Sequence, residues 1–253
     1  MLSKKIQVKQ FRHSIRIADK SLETFRKKKD HEALHKFRVE VKKMKAILLL
    51  QSGSFSGNAL PEEFTIQKVF KQAGKIRNAK INIELLREHH IKDKKIIKKQ
   101  EELAQNKGEK FRKHVKAHRK KLDNNAAFFL RRFTPMSMQK VRRMFDQELR
   151  QLAGLSQMRL GQTQLHKFRI RLKNLLYTYA LLPETAAKKM KLDIFYLKKL
   201  EKTIGGWHDV ISTIDLLKEE GYASKEIPGK LLAERSQLRE KVTGLFNDFH
   251  KNV

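Results

Sequence analysis

The chain has 253 residues, with 58 Lys and Arg against 27 Asp and Glu, a formal charge of +31, and 40% apolar residues. That apolar share supports a packed core and excludes disorder of the whole, and the absence of cysteine excludes disulfides, thiolate metal sites and cysteine nucleophiles together. The charge bears on partners: so large an excess repels itself and concentrates anions, so the expected partner is a polyanion, whether inorganic polyphosphate, nucleic acid or an anionic membrane surface.

Only 4 prolines and 11 glycines interrupt a chain dominated by Lys, Leu, Glu, Gln, Arg and Ala, which predicts an all-α fold. Residues 1–9 lack the apolar stretch of a signal peptide, and no apolar run exceeds that of 46–50, which is far too short to span a bilayer, so a soluble cytoplasmic protein is expected. A first helix is predicted over residues 3–29, with Val8, Phe11, Ile15, Ala18 and Leu22 inward and Arg12, Arg16 and Lys20 on a solvated flank. Asp30 is a candidate N-cap for a second helix running to about residue 51, and residues 52–58 read as a loop. Pro61, beside Glu62 and Glu63, is expected to open a third helix, because proline suits a first turn and carboxylates suit the positive dipole end. On it Val69, Ala73 and Ile76 face inward, while Gln67, Lys71, Gly74 and Asn78 lie on the flank. A fourth helix is predicted over residues 93–122, with Ile96, Ile97, Leu103, Phe111 and Val115 as a sparse apolar face. Residues 123–136 form the expected linker between a first half, 1–122, and a second, 137–253. The second half repeats the plan, with helices over about 137–155, 161–182, 187–220 and 225–251 and a break at Pro183, for eight principal helices in all.

The plan repeats because the sequence does. Leu34-His35-Lys36-Phe37-Arg38 returns as Leu165-His166-Lys167-Phe168-Arg169, an offset of 131 residues. In the first copy Leu34, Phe37, Val41, Met44 and Leu48 make a core stripe; His35, Arg38, Lys42 and Lys45 make a second stripe about a quarter turn away. The second copy repeats the cations with His166, Arg169 and Lys173, and Leu176 stands where the fourth would be. At the same offset Gly74 pairs with Gly205, Arg77 with His208, and Asn78 with Asp209. Two landmarks equally spaced in both halves point to internal duplication. In the later helix Lys198, Lys202, Gly205 and Asp209 share a flank, and Trp207 falls on the core stripe with Leu197, Leu200 and Ile204.

The H-x-x-R-x-x-x-K helix followed by a helix carrying G-x-x-R/H-N/D, present twice in a basic helical chain, resembles the CHAD domain, the conserved histidine α-helical domain. The resemblance covers essentially the whole chain. It implies two four-helix bundles related by a pseudo-twofold axis, with the motif helices facing a common basic groove or pore. It further implies non-catalytic binding of inorganic polyphosphate there, in a cytoplasmic protein that can associate with polyphosphate granules. The candidate binding set is His35, Arg38, Lys42, Lys45, Lys71, Arg77, His166, Arg169, Lys173, Lys198, Lys202 and His208. Arginine grips phosphate oxygens bidentately, lysine acts as a point charge, and histidine beside an anion gains protonated character and donates from both ring nitrogens. Gly205 is expected to let an extended anion come close, and Asp209 to orient a basic neighbour from the opposite motif helix. The family pattern would favour Asp at position 78 as well, and Asn78 cannot supply that charge.

For catalysis the chain offers no Gly-rich loop before Lys-Ser/Thr, no H-E-x-x-H and no acidic cluster to hold Mg²⁺. The E-x-E-x-K motif of the triphosphate-tunnel modules sometimes fused to such domains is absent as well. A non-enzyme without cofactor or metal is expected. His114 and His118, spaced i, i+4, lack a third ligand and read as a solvated face, and His89 and His90 point to different sides of a helix. RNA or DNA is the second-choice partner, since the few aromatics sit mostly at core spacings instead of forming a stacking platform.

Overall fold

Residues 1–53, 55, 61–223 and 226–253 are described by a computed structural model, and among them the regular structure is helical throughout. The helices are α1 (Lys4–Lys28), α2 (His31–Ser52), α3 (Ile66–Glu88), α4 (Lys94–Lys113), α5 (Val115–Leu130), α6 (Met138–Ser156), α7 (Gln162–Tyr179), α8 (Glu184–Lys188), α9 (Ile194–Glu219) and α10 (Gly229–Asn247), then a 3₁₀ turn, Phe249–Lys251. Most of the predicted loop over 52–58, and the predicted start of the last helix at Lys225, lie outside the described residues.

Side-chain caps start several helices at the expected places. Asp30 accepts from the Glu32 amide at 2.9 Å, Asp93 from Lys95 and Ile96 at 2.8 and 3.1 Å, and Ser137 from Lys140 at 3.1 Å. The third helix differs: it begins at Ile66, not at Pro61, and Thr65 offers no side-chain cap. Its first amide donates instead to Asn125 Oδ1 on α5 at 3.1 Å, while Asn125 Nδ2 donates to Glu63 O at 2.7 Å and Thr65 Oγ1 at 3.1 Å. The start of α3 is thus set from another helix.

The helix expected over 93–122 is two helices. His114 Nδ1 lies 2.7 Å from Lys110 O, occupying the carbonyl its own backbone amide would use, and that amide turns to Phe111 O at 3.1 Å. One helix ends there and the next, α5, continues to Leu130, through residues expected to be linker. The reason is burial: Phe129 and Phe133 stack edge-on against Phe11 of α1, with centroids 6.3 and 5.1 Å apart. His118 corrects the solvated reading of the histidine pair, since it is buried, its ring 4.5 Å from that of Phe111, and burial lowers its pKa to about 4. The short α8 after Pro183 delays α9 to Ile194, and with the split at His114 this gives ten α-helices among the described residues where eight were expected.

One core gathers α1–α3 with α5, including Phe11, Phe37, Met44, Val69 and Phe129; another gathers α6, α7 and α9 with the C-terminal segment, including Phe145, Phe168, Leu200 and Phe249. The halves interlock, because Leu50 and Phe55 pack in the second core and Leu181 in the first. A third cluster spans them, Leu86, Ile91 and Ile96 meeting Val210, Ile214, Leu217 and Leu231. Trp207 is core, as its spacing predicts. Among the described residues no helix is long and apolar enough to cross a membrane.

Candidate functional site

The two motif helices, α2 and α7, pack against one another, and the two landmark helices, α3 and α9, do the same. A cavity of about 320 Å³ opens among the four. Its lining includes His35, Arg38, Lys42 and Arg77 from the first half and His166, Arg169, Lys173 and His208 from the second. Eight of the twelve predicted binding residues therefore meet in one place. The core stripes dictate this: Phe37, Val41 and Met44 turn inward in one core, Leu165, Phe168 and Leu172 in the other, and the cation stripes beside them are carried to the junction.

The other four lie elsewhere. Lys71, Lys198 and Lys202 are exposed and do not line the cavity, while Lys45 lines a neighbouring, mostly apolar cavity. The helices that carry Lys71, Lys198 and Lys202 do reach the junction, through Phe70 and Glu201, but these three side chains are exposed and stand outside the groove. Glu201, Tyr177, Asn82 and Ser212 line the groove without having been singled out as site residues. For Glu201 a signal existed, since it lies four residues before Gly205 on the same helix face, within reach of the motif cations.

Each glycine landmark faces the arginine of its own half. A Cβ on Gly74 would stand 2.5 Å from Arg38 Nη1, and one on Gly205 would stand 2.6 Å from Arg169 Nη2. The glycines admit a guanidinium, which corrects the expectation that Gly205 admits the anion itself. Asp209 is likewise corrected: the carboxylate that orients motif cations is Glu201, whose Oε1 accepts from Arg169 Nε at 2.9 Å and pairs with Lys173 Nζ at 2.8 Å, both on the motif helix of its own half. In the first half the corresponding position is Phe70, and Arg38 sits over its ring at 4.0 Å while Nη1 donates to Phe70 O at 2.5 Å.

The cations of the groove are poorly solvated and crowd one another. Burial, with the charges of Lys173 and Arg38 beside it, pulls Lys42 down to about 7; burial and the Arg77 charge bring Arg38 down to about 10. Lys173 is lowered by burial and by Arg169, against the opposing pull of Glu201. His35, His166 and His208 all fall below 6.5, burial being the first cause in each, with Arg77 acting on His35 and His208 acting on His166. The His166 and His208 rings lie 4.5 Å apart, and the Nδ1 of each is buried without a partner. Burial is the first cause of each shift and like charges add to it, so the pocket is short of anionic charge, and an anion placed there would oppose these shifts. No group of three or more metal-capable side chains converges among the described residues.

A family model for the CHAD domain matches residues 9–218. Among solved structures, the crystal structure of the CHAD domain from the plant Ricinus communis superposes with a TM-score of 0.66 across 96% of this chain and 91% of that one, at 13% identity. At that identity the likeness concerns the fold. No curated protein matches the chain.

Proposed function

This chain belongs to the CHAD domain family, and from that premise we propose that it binds inorganic polyphosphate, without catalysis, in the groove between α2 and α7. The observation that carries this is the meeting of both motif copies in one cavity: five Arg and Lys side chains and three histidines against the carboxylates of Glu201 and Asp209. An unbranched phosphate chain offers the same charge at every unit, so a duplicated cation row can grip it at two points, with the gain in affinity that an intramolecular second contact brings. Glu201 is engaged by Arg169 and Lys173, which leaves it a counterion and not a general base. The site of action is the cytoplasm, with polyphosphate granules as a place of association.

The decisive experiment titrates the protein with long-chain polyphosphate and repeats the titration on Arg38→Glu/Arg169→Glu. The expected outcome is a loss of at least about 100-fold in affinity, from two lost charge-assisted contacts and two introduced repulsions. Helicity by circular dichroism stays unchanged, because both side chains flank the cores. Undiminished affinity in the double variant removes the groove from the mechanism. RNA that displaces polyphosphate at equal phosphate concentration makes nucleic acid the preferred partner instead.

A further inference from the structure

At the end of the groove nearest the first core, Lys42, Lys173 and Tyr177 are shared with a second cavity, of about 140 Å³. Its walls are of another kind: Val41, Phe64, Phe70 and Ile170 enclose most of it, and no carboxylate lines it. Three amines, Lys42, Lys45 and Lys173, line this apolar space. Burial alone lowers Lys45, and burial with neighbouring cations lowers Lys42, with no acidic side chain countering either. A bare phosphate chain would satisfy the amines and leave the apolar walls unfilled, since every unit of it is charged. The complementary ligand is anionic at one end and apolar at the other.

We propose that this compartment takes the organic end of a phosphorylated small molecule, a phosphate monoester or phosphoanhydride bearing one aromatic ring, with its phosphate on Lys42 and Lys173 in the groove. The size fits, because a cavity of roughly 150 Å³ with apolar walls holds a single benzene ring. Among the described residues the second half does not repeat these walls. At the offset of the repeat Phe64, Phe70 and Lys45 correspond to Phe195, Glu201 and Leu176, and Phe195 is 82% exposed instead of walling a cavity. The duplicated groove thus has one differentiated end, which distinguishes an organic phosphate from a bare phosphate polymer. This rests on the groove being an anion site, and not on the anion being polyphosphate.

The test is calorimetric titration with phenyl phosphate and with methyl phosphate, with long-chain polyphosphate titrated separately. Phenyl phosphate is expected to bind about tenfold more tightly than methyl phosphate, the ratio that burial of roughly 55 Å² of ring gives at about 25 cal/mol per Å². Ile170→Phe, which fills the compartment from a half-buried wall position, removes that preference and leaves the affinities for methyl phosphate and polyphosphate as they were. Gln67→Phe fills it from another half-buried position and serves if the first variant folds poorly. Equal affinities of the two esters, or a preference that survives both fillings, overturn the compartment while polyphosphate binding stands. If neither ester nor polyphosphate binds, the groove fails with it.

Discussion

Arg38 and Arg169 hold the same place in the repeat and meet different neighbours, Phe70 in one case and Glu201 in the other. The second copy therefore arrives at the groove partly neutralised, whereas Arg38 and Lys42 of the first have no ion-pair partner among the described residues. Glu201→Gln keeps the shape and frees Arg169 and Lys173, so affinity for polyphosphate rises several-fold and the log–log salt slope steepens by about one, by analogy with counterion release from DNA. Affinity that stays the same or drops, measured across a salt series, shows that Glu201 positions the cations more than it masks them. Lys42 carries the pH dependence. Its pKa stands at about 7 in the folded chain against the ordinary 10.5, so between those values the unfolded chain holds a proton that the folded chain has released. Its contribution to stability is accordingly lowest below pH 7 and rises with pH up to about 10.5. Bound phosphate raises the same pKa, so binding takes up protons and affinity falls as pH climbs from 6 to 8, with His35, His166 and His208 adding at the acid end. Calorimetry at pH 7.5 in two buffers of different ionisation enthalpy measures the uptake, and proton release on binding contradicts it.

At the scale of the helix, the instructive case is α3. Local pattern starts it at Pro61, but its start is fixed by Asn125, sixty residues on, in a stretch expected to be linker. Asn125→Ala removes one cap and strands the Ile66 amide and the Glu63 carbonyl, a loss of about 1–3 kcal/mol in urea unfolding. A change below about 0.3 kcal/mol shows that α3 is seated by its core contacts alone. Because α3 carries Gly74 and Arg77, the same variant also loosens the groove. Helix interiors were legible because a 3.6-residue apolar period is a local property of the chain. The break at His114 was not: nothing in residues 93–122 announces that an imidazole will take the carbonyl of Lys110.

For the molecule as a whole, the groove holds a small part of a formal charge of +31. The rest lies over the surface, where isolated ion pairs such as Lys98–Glu102 and Lys188–Glu184 are exposed and contribute little. Self-repulsion then dominates surface electrostatics, so the melting temperature rises with added sodium chloride and rises further with inorganic phosphate at equal ionic strength, which also occupies the groove. A melting temperature that falls with salt over the first 0.2 M places net surface attraction above repulsion.

The sequence by itself determined that the protein is all-α, that it carries a motif twice at one offset, and that His35, Arg38 and Lys42 share a face with spacing repeated by His166, Arg169 and Lys173. Each follows from periodicity and identity along the chain, which need no knowledge of what a helix packs against. Tertiary structure decided which stripes converge: it brought the two motif faces together, left Lys71, Lys198 and Lys202 outside, set Lys45 beside an apolar cavity and gave the glycines to the arginines. The physical reason is that a helical period fixes direction around an axis, whereas crossing, interlocking of the two cores and the caps exchanged between distant segments fix where those axes lie.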